Sequence, residues 1–118
     1  MNIMFEDSIT DDVKSKYILL ELDTFYFSEV DQNKTAYCLV ESAPIQELIN
    51  IEKHLELHNN LVKNYKLRNW KYCLDALEHL KGKWNRDLDS FYSDMFDRIK
   101  QNENQDLDSE WNGVIVRG

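Results

Sequence analysis

Glycine and proline are scarce in this chain, three and one in 118 residues. So few breaks argue against a turn-rich β-sandwich and for helices that run on uninterrupted. Cysteine is scarce too. Cys38 and Cys73 each sit inside an apolar periodic stretch, with no C-x-x-C and no Cys/His pair at zinc-finger spacing, which argues against a structural zinc site. They read as buried free thiols of a reducing compartment, with a single Cys38–Cys73 disulfide as the other arrangement. No apolar run approaches the ~20 residues of a membrane span, and the acidic start MNIMFEDSITDD lacks the basic-then-apolar build of a signal peptide. A soluble, cytoplasmic protein is expected. Also missing are a P-loop, a G-x-G-x-x-G and a G-x-S-x-G, so nucleotide hydrolysis, dinucleotide use and acyl transfer have no signature. The reading is a non-enzyme without cofactors.

What is present supports a core. Hydrophobic residues make up 42% of the chain and aromatics 12%, enough to bury a folded interior within a single domain over residues 1–118. Charge is unevenly placed. Residues 1–60 hold 4 basic and 12 acidic groups, residues 61–86 hold 7 and 2, and residues 87–118 hold 3 and 8, for a net charge of −8. A basic island between acidic flanks either attracts its own flanks, the first reading, or serves an anionic partner.

Thr10-Asp11-Asp12 resembles a helix cap with acids in the first turn, opening a short helix to about residue 16. Residues 17–27, YILLELDTFYF, are rich in strand formers. Strict alternation puts Ile18, Leu20, Leu22, Thr24 and Tyr26 on one face, and Leu19, Glu21, Asp23, Phe25 and Phe27 on the other. Residues 28–34 suit a loop and residues 35–41 a second strand, closing a β-hairpin over about 17–41. An isolated hairpin is marginal, so it must lie on helices or pair with other strands.

Pro44 suits the first position of a helix over about 45–67, whose face carries His54, Leu57, His58, Leu61, Val62 and Tyr65. A corner at Arg68-Asn69 follows. A second helix over about 70–82 buries Trp70, Cys73, Leu74, Leu77 and Leu80, with Asn69 as its cap and Gly82 in a left-handed ending. Asp87 or Asp89 caps a third helix, about 88–101, whose stripe is Leu88, Phe91, Tyr92, Met95, Phe96 and Ile99. The tail, 102–118, is acidic and then closes on Trp111, Val114, Ile115 and Val116, an apolar cluster expected to dock on the core or add an edge strand here or on a neighbour. The fold class is therefore α+β, a β-hairpin followed by three main helices.

The central helix pair, with Tyr65, Trp70, the small Cys73 and Leu77, resembles a tetratricopeptide-type helical hairpin. More specifically, Tyr65-x-x-x-x-Trp70, Leu77, Arg98 and the ending Trp111-Asn112-Gly113-Val114-Ile115-Val116 resemble the C-terminal tail of class III adenylate and guanylate cyclases. Leu22-Asp23-Thr24, Lys34 and the strand 35–41 are similar to that family's last hairpin, without its turn glycine. The resemblance spans about residues 17–118. It implies layout and no catalytic role, because the cyclase core with its metal-binding aspartates has no counterpart in this chain. In general look the chain is also similar to small acidic proteins of tailed phages of marine cyanobacteria, which suggests a phage-encoded protein.

His54 and His58 stand at i, i+4 with Glu56 between, a spacing able to share a metal. The order is not H-E-x-x-H, however, and the reading is two histidines flanking an apolar stripe, with no metal. Glu21 and Asp23 share a strand face and read as a solvated edge rather than an acid–base pair. The expectation is a protein-interaction or regulatory module, self-associating through the hairpin edge or the tail residues Trp111, Val114, Ile115 and Val116. The alternative is nucleic-acid or polyanion binding by Lys63, Lys66, Arg68 and Lys71, with Tyr65, Trp70 and Tyr72 as stacking surfaces. Tetratricopeptide-like hairpins present packed helix faces to partners, usually in arrays.

Overall fold

The structure, a computed structural model, describes residues 2–41 and 48–117. The expected helix start at Pro44 lies outside the described residues. The fold is α+β, with strands preceding helices: β1 (Asn2–Phe5), α1 (Asp11–Lys16), β2 (Tyr17–Phe27), β3 (Gln32–Glu41), α2 (Leu48–Lys66), α3 (Trp70–Leu80), α4 (Asp89–Asn102) and β4 (Ile115–Arg117). Contacts gather these into two compact units, Met1–Ile51 with Gly113–Gly118, and Glu52–Asn112.

The first unit is a sheet in the order β1-β3-β2-β4. The hairpin β2–β3 is its centre. β1 pairs antiparallel with β3 (Ile3 opposite Cys38), and β4 pairs parallel with β2 (Phe25 opposite Ile115). The hairpin thus gains neighbours on both sides, and the tail supplies an edge strand. The loop is tighter than its polar sequence suggests, because β3 begins at Gln32. Asp31 takes φ +50°, a left-handed value that Asp tolerates, and its Oδ1 accepts a 2.5 Å hydrogen bond from Tyr26 Oη.

Strict alternation fails within β2. Glu21 pairs with Tyr37 but Thr24 with Thr35, so three steps on β2 match two on β3, which is a bulge. One extra residue reverses the faces beyond it. Leu20 and Cys38 stay on the buried side, and Phe25 and Phe27 now join them there, where both ring edges meet Phe5 at 6.2 and 5.8 Å. Thr24 is turned to the other face, its hydroxyl 2.8 Å from that of Thr35. Glu21 and Asp23 are consequently not a simple same-face pair: Glu21 sits opposite Tyr37, while Asp23 falls inside the bulge. The short α1 is capped as expected, with Thr10 Oγ1 accepting from Val13 N at 3.3 Å.

In the helical unit the three stripes bury Leu61, Val62, Tyr65, Cys73, Ala76, Leu77, Leu80, Leu88, Phe91, Tyr92, Met95 and Ile99. Each fully covered Leu, Ile or Met contributes about 1.5–3 kcal/mol. α2 ends in a Schellman arrangement: Asn69 N donates to Asn64 O at 2.9 Å and Arg68 N to Tyr65 O at 3.1 Å. The residue in the left-handed position is Arg68, φ +63°. Asn69 does not cap α3 with its side chain; its Nδ2 instead donates to Asn64 Oδ1 at 3.1 Å. α3 closes with Gly82 at φ +81°. Gly82 N then donates to Asp89 Oδ1 at 2.8 Å, joining the end of α3 to the first turn of α4. Asp89 is therefore a first-turn residue of α4, which has Leu88 at its cap position.

Candidate functional site

Two places in the helical unit concentrate chemistry. At the corner between α2 and α3, Tyr65, Trp70 and Trp111 form a triangle of edge-to-face rings with centroids 5.4–5.8 Å apart. Arg68 lies 5.5 Å over the Trp111 ring, and Arg98 lies 5.5 Å over Tyr65. The Arg68 guanidinium also donates to the backbone carbonyls of Asp108 and, at 3.2 Å, of Trp111. A cation expected to face solvent instead ties residues 108–111 to the corner. At Arg68 the acceptors are main-chain carbonyls rather than the carboxylates of the acidic flank.

The remaining sequence candidates are dispersed. Lys63, Lys66 and Lys71 are exposed on α2 and α3, around a corner whose rings pack on one another. Trp111 belongs to the helical unit, while Ile115 and Val116 form β4 and Val114 precedes it. Val116 is 72% exposed. His58 is fully buried, with Nδ1 2.9 Å from Tyr92 Oη. His54 is edge-on to Trp84, with centroids 6.1 Å apart. Burial, and then the nearby Lys83, lower its pKa from the ordinary histidine value. Both thiols are free and buried, and desolvation pushes that of Cys73 up to about 11. Among the described residues no three His, Cys, Asp or Glu side chains gather as a ligand set, and no described helix is long and apolar enough to cross a membrane.

The second place was not singled out by the sequence. Between α3 and α4 lies an open groove of about 470 Å³, floored by Leu74, Leu77, Tyr92 and Phe96. Its rim carries Asp75, Glu78, Lys81, Asp89 and Lys100. Phe96 belongs to the apolar stripe of α4, yet it is 44% exposed while Leu88, Phe91, Tyr92, Met95 and Ile99 are covered. At 100° per residue the stripe is about 140° wide and Phe96 stands at its margin. The width of the stripe was the available signal.

No family model, no curated protein and no solved structure matches this chain.

Proposed function

We propose that the chain is a non-enzymatic protein-interaction module of the cytoplasm that receives a partner in the α3–α4 groove. The observation that carries this is Phe96, a large aromatic on a core stripe, half uncovered above an apolar floor with charged residues at its rim. Apolar surface arranged in this way gains free energy when a partner covers it, at about 25 cal/mol per Å². The resemblance to tetratricopeptide-type hairpins and to cyclase tails, neither of which supplies catalytic residues here, agrees with a role in presenting helix faces. Cys73 offers no nucleophile, since its thiol, pushed up to about 11, is protonated at neutral pH.

The polyanion reading draws on Lys63, Lys66 and Lys71, with Arg68 held by the chain's own carbonyls. One experiment separates the two. The protein and its Phe96→Asp variant are used as affinity baits, with and without nuclease, and retained proteins are identified by mass spectrometry. The interaction reading expects a protein retained by the wild type, lost with Phe96→Asp and indifferent to nuclease. Retention that nuclease abolishes and Phe96→Asp leaves intact would transfer the function to the basic corner.

A further inference from the structure

We infer that the occupant of the α3–α4 groove is an amphipathic helical segment with basic flanks, an inference that rests on the reading of the chain as an interaction module. The groove follows α4 along its length. Its α4 side presents Asp89, Tyr92, Ser93, Phe96 and Lys100, a repeat of three to four residues over about 16 Å, or three turns. Helix-in-groove recognition uses apolar anchors at i, i+3 or i+4 and i+7 against such a floor.

The sign of the partner's charge follows from which rim groups are already used. Asp89 accepts from Gly82 N and lies 3.4 Å from Arg86 Nε. Lys100 lies 3.3 Å from Glu103 and 5.7 Å over the Phe96 ring. The side chains of Asp75 and Glu78, one turn apart on α3 and both exposed, have no ion pair or hydrogen bond among the described residues, and that of Lys81 is the one cation of the rim in the same condition. The lip is therefore acidic where it is uncompensated. The chain's net charge of −8 acts in the same direction, steering cationic segments toward the surface and opposing both a second copy of itself and a nucleic acid.

The test is a titration of the ¹⁵N-labelled full-length protein with three synthetic peptides of about 15 residues, long enough to form a helix on contact. One carries Leu and Phe at i, i+4, i+7 and i+11 with lysine flanks. The second replaces those lysines by glutamate, and the third scrambles the lysine peptide so that no apolar face remains. The lysine peptide is expected to shift amides of residues 74–81 and 92–100 saturably. Asp75→Lys/Glu78→Lys, two exposed substitutions that leave the unfolding midpoint in place, weakens that binding roughly threefold to tenfold. Equal binding of the glutamate peptide at the same amides would overturn the charge assignment and leave the groove as a docking site. Equal binding of the scrambled peptide would overturn the helix assignment. Concentration-dependent shifts at those amides with no peptide added would give the groove to a second copy. Silence of the groove toward all three peptides would overturn the basic-helix assignment, while the interaction reading stands or falls on the Phe96→Asp affinity experiment.

Discussion

Arg68 is the residue at which the roles of scaffold and surface cation can be told apart by substitution. It occupies the left-handed position that ends α2, φ +63°, where a side chain costs about 1 kcal/mol relative to glycine. Against that cost stand two guanidinium–carbonyl hydrogen bonds to Asp108 and Trp111 and the contact with the Trp111 ring. At a partly exposed site the hydrogen bonds contribute about 0.5–1.5 kcal/mol each and the ring contact about 0.5–1 kcal/mol. Arg68→Ala keeps the strain and loses all three contacts, so it destabilises the helical unit by about 2–3 kcal/mol, a fall in Tm of about 10 °C for a chain of this size. Arg68→Gly loses the same contacts but recovers the strain, and costs only about 1–2 kcal/mol. Thermal and urea denaturation followed by far-ultraviolet circular dichroism measures both, with Lys66→Ala as the neighbouring substitution for comparison. A glycine variant more stable than the wild type would refute the reasoning. The carbonyl contacts would then contribute less than the strain costs, and Arg68 would return to the surface as a cation available to ligands.

Other consequences follow from the same structure. Trp111→Ala removes two edge-to-face contacts and the cation's platform, and is expected to cost about 2–4 kcal/mol; a loss below about 0.5 kcal/mol would mean that residues 108–111 are not docked on the corner. Phe25→Ala should cost more than Tyr26→Ala, about 2 against less than 1 kcal/mol, because the bulge turns Phe25 toward Phe5; the reverse order in urea melts would restore unbroken alternation. Cys73, pushed up to about 11, should react with a disulfide reagent in the native protein no faster than the unit opens, whereas prompt labelling would place its thiol at the surface. His54, lowered by burial and Lys83, binds a proton less readily folded than unfolded. Its contribution is complete above the ordinary histidine pKa of about 6.5 and is lost as pH falls through the depressed value. The denaturation midpoint of the wild type should therefore decline more steeply below neutrality than that of His54→Gln, and parallel profiles would contradict the assignment.

Much of the layout was legible from residue patterns, because those patterns are local. The Thr10 cap, the first residue of α3, the left-handed Gly82 and the buried positions of α4 all follow from side chains within a turn or two of one another. What escaped is set by distant pairing. β1 offers four residues without alternation that mean anything alone; they form a strand because β3 presents an edge to them. The bulge in β2 carries no glycine to mark it, and an alternating sequence reads equally well on either face until the partner strand fixes the register. Arg68 looked like a solvent-facing charge because its acceptors lie forty residues or more along the chain. The groove escaped for a related reason: the α4 stripe specifies that Phe96 is apolar, and only the position of α3 decides that it stays half uncovered.

The central claim, that the α3–α4 groove is where this protein meets its partner, is tested most directly by a photo-crosslinking side chain placed at Phe96 and, in a second protein, at Leu67. Both positions are exposed, 44% and 66%, and Leu67 lies at the basic corner. The account predicts a discrete protein adduct from position 96 that survives nuclease, and none of that mass from position 67. Adducts from position 67 alone, whether to nucleic acid or to protein, would contradict it.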